Sequence, residues 1–299
     1  MKTRTERTWA LVVSAALAFL CAATGCSGSG SQPAAPPPPA PPPAAAPAGA
    51  RPASAAPTTT SKPAPAGSKA AAPAELTLDL GGGVTMKMAP IRAGKFMMGG
   101  GMFAREVTLS KPFYMGIYEV TQAQYEAVMG ANPSRFKGPT NPVETVSWDD
   151  AAEFCKKLSE KTRQTVRLPT EAEWEYACRA GTQTAFPFGD DPSALGDYAW
   201  HGHNSGDTSH PVGQKKPNAW GLYDMLGNVQ EWCADWKGDS FAKGPAKDPT
   251  GPATGDLRVQ RGGSYFNSGA DAYRCARSDS DYPTNRIFSR GFRCAATIP

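Results

Sequence analysis

A low-complexity stretch near the N-terminus limits how much of this 299-residue chain can fold. Residues 27–74 consist mainly of Ser, Gly, Ala, Pro and Thr and contain no aromatic and no long aliphatic side chain. Such a segment has too little apolar surface to offset the conformational entropy lost on folding. We therefore predict a tether over residues 26–75, stiffened by proline runs at 36–39 and 41–43, and one globular domain over residues 76–299.

The distribution of charge argues against a nucleic-acid ligand. The chain has a formal net charge of +4. All of this excess lies in residues 1–75, which hold six basic and two acidic side chains, whereas residues 76–299 hold 25 of each. A surface that binds phosphate backbones needs clustered Lys and Arg in excess. We therefore expect the domain not to bind nucleic acid.

Residues 1–25 have the features of an export signal. Three basic residues precede an apolar run of about 13 residues, which is shorter than the ~20 residues that a membrane-spanning helix needs. Small residues at 22–25 are followed by Cys26, an arrangement that resembles the cleavage site of bacterial lipoproteins. We expect lipid on Cys26 to anchor the protein in the cell envelope, at the outer membrane, facing the periplasm or the cell surface. Cleavage by an ordinary signal peptidase is the alternative.

Helix and strand signals are short and are separated by turns rich in Gly, Pro, Asn and Asp. Thr121, Ser147 and Thr170 each precede a helical pattern and have Gln, Asp or Glu three residues later, which predicts three helices that begin with capping boxes. Short β-prone stretches surround them, at residues 85–88, 107–109, 113–118 and 257–259. The predicted fold class is α+β, with short helices, small sheets and long loops.

The cysteines predict disulfides but leave their pairing open. Without the signal and Cys26, an exported domain keeps five cysteines. An oxidising compartment favours disulfides, and two bridges with one free thiol are the simplest partition of an odd number. No CxxC or Cys/His cluster with zinc-finger spacing is present, which argues against zinc. A metal site at His201, His203 and His210 would need a fourth ligand and firmer support than their Gly-containing loop offers.

Long motifs follow one another in a fixed order between residues 80 and 299. They lie at residues 91–99, 119–121, 141–143, 146–148, 167–177 (RLPTEAEWEYA), 218–225 (NAWGLYDM), 227–232 (GNVQEW), 261–264 (RGGS) and 291–294 (GFRC). Together these motifs resemble the formylglycine-generating enzyme, or sulfatase-modifying factor, family. The resemblance implies an irregular α+β domain that is a variant of the C-type lectin fold.

The resemblance also implies a pairing of the cysteines. It implies the disulfides Cys155–Cys294 and Cys178–Cys275, each of which closes a loop of more than 90 residues. In the chain-entropy model each such bridge contributes ~4 kcal/mol to stability. Cys233 is left over, and beside apolar neighbours it is expected to be a buried thiol that behaves as a small hydrophobic residue.

A calcium ion is a further implication of the resemblance. The matching loop residues are Asp224, Gly227, Val229 and Glu231, with side-chain oxygens at the first and last positions and backbone carbonyls between them. Oxygen ligands from a tight Gly-containing loop suit this hard cation. The alternative is a loop held by hydrogen bonds, in which Glu231 caps backbone N–H groups.

The copper site of the family is not matched in this sequence. In that family a pair of cysteines just after the Gly-Gly-Ser segment binds copper(I) and activates O₂, and a substrate cysteine is oxidised to formylglycine. Here the first position is Asn267, and the second falls on Ala270 or Ala272. Neither side chain can replace a thiolate. The sequence therefore predicts no copper and assigns no catalytic residue.

Two classes of function follow from this departure. The favoured hypothesis is a binding or scaffold module, whose ligand surface at Tyr265, Asn267, Asp271 and Arg290 receives an exported protein, a peptide or a glycan. The alternative is an enzyme of the family with altered chemistry, for which no catalytic set can be assigned from spacing. A formylglycine-generating sulfatase-maturation oxidase is the least favoured of the hypotheses.

Overall fold

The computed structural model describes residues 74–238 and 244–298. The predicted export signal, the lipidation site at Cys26 and nearly all of the predicted tether lie outside the described residues. Within the described ranges, no helix combines the length and the apolar character that crossing a membrane requires.

Three of the helices begin where the sequence predicts. The helices of the described part of the chain are α1 (Gln122–Met129), α2 (Trp148–Thr162), α3 (Glu171–Arg179) and the short α4 (Leu195–Tyr198). The hydroxyls of Thr121, Ser147 and Thr170 accept a hydrogen bond from the backbone N–H three residues later, and the side chain of that residue bonds back. All three predicted capping boxes are therefore confirmed.

The strands are short and most of their pairings are antiparallel. Their bounds are β1 (Leu76–Gly81), β2 (Val84–Ile91), β3 (Gly94–Met98), β4 (Arg105–Leu109), β5 (Phe113–Gly116), β6 (Val166–Arg167), β7 (Gln230–Trp236), β8 (Ala246–Lys247), β9 (Arg258–Arg261), β10 (Asp279–Asp281), β11 (Arg290–Gly291) and β12 (Ala295–Thr297). The parallel pairs are β7 with β11 and β4 with β8. The predicted α+β class is confirmed, and the four predicted β-prone stretches fall in or overlap β2, β4, β5 and β9.

Three small sheets connect distant parts of the chain. The strand orders are β1-β2-β5-β12-β6, β10-β9-β7-β11 and β3-β4-β8. Because β12 comes from the end of the chain and lies between β5 and β6, the first sheet forms only when the C-terminal segment returns to the N-terminal half. In the second sheet β7 lies between β9 and β11, and it carries two buried carboxylates, Glu231 and Asp235.

The apolar face of α2 forms part of the core. Ala151, Phe154, Cys155 and Leu158 recur at helical spacing and are all buried. The Phe154 ring stacks on Tyr125 at 5.6 Å between ring centroids. Fully burying one large apolar side chain of this kind contributes ~1.5–3 kcal/mol. Packing of this face therefore fixes α2 against the rest of the domain.

Candidate functional site

Asn267 lies in an exposed turn that follows β9, at the position where the family resemblance places the first copper cysteine. Its side-chain Oδ1 accepts hydrogen bonds from the backbone N–H and the hydroxyl of Ser264, at 2.8 and 3.0 Å. Its backbone oxygen accepts from Gly202 N at 2.7 Å and from the Tyr273 hydroxyl at 2.5 Å. The acceptor groups of Asn267 therefore hold the turn in shape.

All five cysteines of the described domain are buried as thiols. The Sγ atoms of Cys178 and Cys275 lie 3.4 Å apart, and those of Cys155 and Cys294 lie 3.8 Å apart. These are the pairs that the resemblance implies, but a disulfide bond is only ~2.05 Å long, so the bridges stay a prediction. Burial raises the pKa of the thiols of Cys178, Cys233 and Cys294 well above the usual range. Thiols in such surroundings are inert as nucleophiles.

The structure divides the predicted ligand surface into two parts. Asn267 and Asp271 are exposed, as predicted. Tyr265 is fully buried, because its ring packs inward and its hydroxyl donates to a backbone carbonyl at 3.3 Å. Arg290 is only 6% exposed, and its Nη1 lies 2.9 Å from the Asp281 carboxylate. Tyr265 and Arg290 are therefore not at the surface where the prediction places them, and ligand binding by this group of residues stays a prediction.

A group of aromatic rings lies beside Asn267, with Phe266 exposed and Phe136 and Phe288 half-buried, and we call Arg135, Phe136, Phe266 and Phe288 the aromatic patch. The side chain of Phe266 is 60% exposed, and its ring meets that of Phe288 edge-on at 6.3 Å between centroids. The Arg135 guanidinium lies 5.2 Å from the Phe136 ring centroid and 4.9 Å from that of Phe288. Exposed aromatic side chains grouped with an arginine are typical of binding surfaces. Sequence reasoning missed this patch because Arg135 and Phe136 are far from Phe266 along the chain.

The histidines near Asn267 do not form a metal centre. His201 Nδ1 accepts from the His203 backbone N–H at 3.3 Å, and His203 Nε2 lies 3.1 Å from the Ser268 carbonyl oxygen. His210 stacks on Trp200 instead, at 3.7 Å between ring centroids. Across the described ranges, no group of three or more His, Cys, Asp or Glu side chains is placed to hold a metal ion.

Glu231, the last residue of the predicted calcium loop, lies inside β7 and is fully hydrogen-bonded. Its Oε1 accepts from Arg293 Nε and Nη2 at 3.0 and 2.6 Å. Its Oε2 accepts from Arg293 Nε and Trp174 Nε1, both at 2.7 Å. Because Arg293 Nε has a single hydrogen that the two oxygens share, three N–H groups reach the carboxylate, and the guanidinium already supplies its counter-charge.

Asp224, the first residue of the same loop, is by contrast only partly hydrogen-bonded. Its Oδ2 accepts from Gly213 N at 2.7 Å, whereas Oδ1 is buried with no hydrogen-bond partner among the described residues. Burial raises the pKa of this carboxyl to about 6. Of the two other predicted ligands, Gly227 abuts the Trp200 carbonyl, and Val229 donates its N–H to Glu119 at 2.9 Å. The predicted set thus fits calcium only in part, since one Asp224 oxygen has no described partner and the Glu231 carboxylate is paired with Arg293.

Comparisons with known proteins identify the family to which this domain belongs. Residues 81–298 match the model of the family described as "Sulfatase-modifying factor enzyme 1-like domain". The chain is 33% identical to the formylglycine-generating enzyme of Mus musculus over 285 residues, which cover 70% of this chain and 75% of that protein. This chain therefore belongs to the sulfatase-modifying factor family.

Other similar proteins carry different names. The chain is 34% identical to the "Chaperone protein LppX" of Paenibacillus barcinonensis over 214 residues, which cover 55% of this chain and 72% of that protein. Among solved structures, the Treponema denticola variable protein 1 superposes with a TM-score of 0.72 at 34% identity. That match covers 76% of this chain and all of the other chain. One fold thus occurs in proteins with unlike names, so function has to be argued from the site.

Proposed function

We propose that this chain is a ligand-binding member of the sulfatase-modifying factor family that recognises a polypeptide through the aromatic patch, and that it is not a copper-dependent oxidase. The observation that carries the proposal is the exposed Phe266 beside Asn267. Where the resemblance places a copper-binding thiolate, this surface presents an aromatic ring and an amide whose oxygen is already hydrogen-bonded.

The state of the cysteines supports the same proposal. Copper(I) chemistry in this family depends on soft thiolate ligands at the surface. The cysteines of the described domain are buried, and burial raises the pKa of Cys178, Cys233 and Cys294, which disfavours the thiolate. Asn267 offers only nitrogen and oxygen, which suit copper(I) poorly.

The chemistry of the patch favours a polypeptide ligand. Covering the exposed part of Phe266 would contribute on the order of 2 kcal/mol, and Arg135 can pair with a carboxylate or stack on a ring. The amide nitrogen of Asn267 and the carboxylate of Asp271, in the short 3-10 helix Ala270–Tyr273 that follows, are exposed and can bond backbone groups of a ligand. A relative named as a chaperone, a class that binds other proteins, adds support.

We propose also that the protein acts in the cell envelope, held there by lipid on Cys26. The support is the order of basic, apolar and small residues before Cys26. Two or three acyl chains, at ~0.8 kcal/mol per buried methylene, would hold a protein at a membrane surface without a spanning helix. Metabolic labelling with a radioactive fatty acid should mark the protein and should not mark the Cys26→Ser variant.

The test of the proposed function compares turnover with binding. The purified protein, given copper(I), O₂ and a CxPxR peptide, is expected to form no aldehyde detectable by mass spectrometry. Peptides selected from a random displayed library are expected to bind the wild-type protein and to bind Phe266→Ala at least tenfold more weakly. Tyr282→Ala is the matched control, because Tyr282 is similarly exposed at 58% and lies outside the patch.

Three outcomes would contradict the proposal. Formation of formylglycine would identify an oxidase. Selected peptides that bind Phe266→Ala as tightly as the wild type would place recognition elsewhere. Binding on a glycan array that depends on Phe266, with no peptide selected, would replace the polypeptide ligand by a carbohydrate.

A further inference from the structure

A cavity of about 1330 Å³ lies at the junction of α3, the end of β7 and the 271–278 segment. No residue of the aromatic patch lines it, and neither does Asn267. Its walls include apolar side chains from separate parts of the chain. They are Met98, Phe103, Trp236, Pro249 and Pro252. Asp271 of the predicted ligand surface also lines the cavity, so the cavity is a second possible binding region that adjoins that surface without including the aromatic patch.

A buried carboxylate that forms no ion pair with a described residue lines this cavity. Asp235, in β7, is only 4% exposed. Its Oδ2 accepts the backbone N–H of Glu171, the first residue of α3, at 2.8 Å. Its Oδ1 receives no hydrogen bond from the described residues. Burial raises the pKa of Asp235 to about 7, and the nearby Glu171 and Glu173 act in the same direction.

The buried cation Arg261 is held by groups other than Asp235. Arg261 donates from Nη2 to Glu175 at 2.6 Å, and from Nη1 to the carbonyl oxygens of Cys275 and Arg277 at 2.8 and 2.7 Å. Its Nε lies 3.3 Å from the Glu171 carboxylate but forms no hydrogen bond with a described residue. The ion pairs of Arg261 are therefore with Glu171 and Glu175, and none joins it to Asp235.

Basic side chains at the rim are also held by neighbours. The contacts are Arg274 with Asp271 at 2.6 Å, Arg277 with Asp279 at 2.5 Å and Lys237 with Ser278 at 2.7 Å. Arg105 also lines the cavity and forms no ion pair with a described residue. An anionic ligand that entered the cavity would therefore pair with Arg105.

We propose that this cavity binds a primary ammonium group carried on an apolar chain, with Asp235 as its anionic partner. A buried carboxylate that lacks a cation carries a desolvation penalty, which an incoming ammonium would relieve by pairing with Oδ1. The apolar walls cover the methylenes behind the ammonium. The Trp236 ring is held for this role by the Arg258 guanidinium, 3.4 Å from its centroid. Lysine side chains of peptides and free polyamines share this chemistry.

The first measurement needs no variant. Isothermal titration calorimetry of the protein at pH 8 compares n-pentylammonium, 1-pentanol and pentanoate, which have five carbon atoms each and differ in charge. The ammonium is expected to bind at least tenfold more tightly than the other two. Equal binding of the ammonium and the alcohol would overturn the proposal, and so would preferred binding of pentanoate, which would assign the cavity to Arg105.

Two variants then locate the contact. Asp235→Asn keeps an oxygen for the Glu171 N–H, so it should fold, and it should lose the tenfold preference for the ammonium. Asp248→Asn is the matched control, because Asp248 lines the same cavity and its carboxylate is held by Ser110 at 2.6 and 2.5 Å. It should bind within twofold of the wild type. An unchanged preference in Asp235→Asn, or equal losses in both variants, would overturn the assignment.

The source of the ammonium is resolved by two larger probes. N-acetyl-lysine methylamide, if it binds more tightly than n-pentylammonium, identifies a peptide side chain as the ligand. Spermidine, if it binds more tightly, identifies a free polyamine. Both results support recognition of an ammonium by Asp235. Failure of all three amines to bind the wild-type protein would contradict it.

Discussion

The two ends of β7 hold buried carboxylates that differ in their hydrogen bonding. Glu231 and Asp235 are four residues apart in the same strand, and both are almost completely buried. Glu231 accepts from three N–H groups, two of Arg293 and one of Trp174, whereas Asp235 accepts from one among the described residues. Both residues are therefore buried, but they differ in the number of hydrogen-bond donors around the carboxylate.

This difference separates a structural residue from a candidate binding residue. A buried carboxylate whose acceptor positions are all filled locks its neighbours in place. One with an open acceptor beside a cavity carries a desolvation penalty that a proton or a ligand can relieve. Glu231 lies in a motif that the family resemblance singles out, yet Asp235 is the one with capacity for a ligand.

The largest expected effect is at the Glu231 end of the strand. Arg293→Met would leave Glu231 buried without its cation, since both side chains are at most 1% exposed. Removing one partner of a buried pair costs about 3–5 kcal/mol. We expect a loss of this size in the free energy of unfolding, measured by urea denaturation at pH 7.

A surface pair provides the control for this variant. Arg286 bonds Asp150 through two nitrogens, at 2.8 and 2.6 Å, but its side chain is 52% exposed. Exposed pairs contribute at most about 1 kcal/mol, so Arg286→Met should have a much smaller effect. Equal losses in the two variants would show that the Arg293–Glu231 pair is not the fixed structural element described above.

The next largest effect, of opposite sign, is expected at Asp235. Its folded-state pKa of about 7 lies above the ordinary value of 3.8, so the protonated carboxyl stabilises the fold. This contribution is present below pH ~4 and is lost as the pH rises through 7, by at most about 4 kcal/mol. Asp235→Asn should therefore be more stable than the wild type at pH 8, and the advantage should shrink toward pH 4. Melting temperatures across this range would check it, and a pH-independent difference would contradict it.

The smallest effect concerns the helix end that faces Asp235. Thr170 caps α3, and the first N–H of that helix donates to Asp235. Loss of an N-cap hydroxyl costs about 1 kcal/mol, so Thr170→Ala should destabilise the protein by that amount in the same urea experiment. Thr284→Ala, at an exposed loop position, should stay within about 0.5 kcal/mol of the wild type. If the two variants have the same free energy of unfolding, the Thr170 cap does not stabilise the helix end next to Asp235.

Sequence patterns predicted the features that depend on nearby residues. The capping boxes at Thr121, Ser147 and Thr170 need only a hydroxyl and a polar residue three positions later. The buried face of α2 follows from helical spacing. The resemblance brought together the two cysteine pairs, although whether they are bonded stays a prediction.

The errors at the candidate site share one physical cause. Tyr265 and Arg290 were expected at the surface, but their burial depends on residues elsewhere in the chain, such as Asp281. Glu231 is predicted as a calcium ligand, which stays a prediction, and the structure pairs its carboxylate with Arg293, 62 residues away. Spacing along the chain does not reveal such partners.

By itself the sequence determined the predicted division into signal, tether and domain, the family, the helix starts and the absence of a cysteine at position 267. These properties depend on composition, short spacing and residue identity. Only the tertiary structure decided that Phe266 joins an exposed aromatic patch, that Glu231 is fully bonded and that Asp235 is not. The physical reason is that burial and hydrogen-bond partners are set by long-range contacts, which bring β7, α3 and the C-terminal segment together.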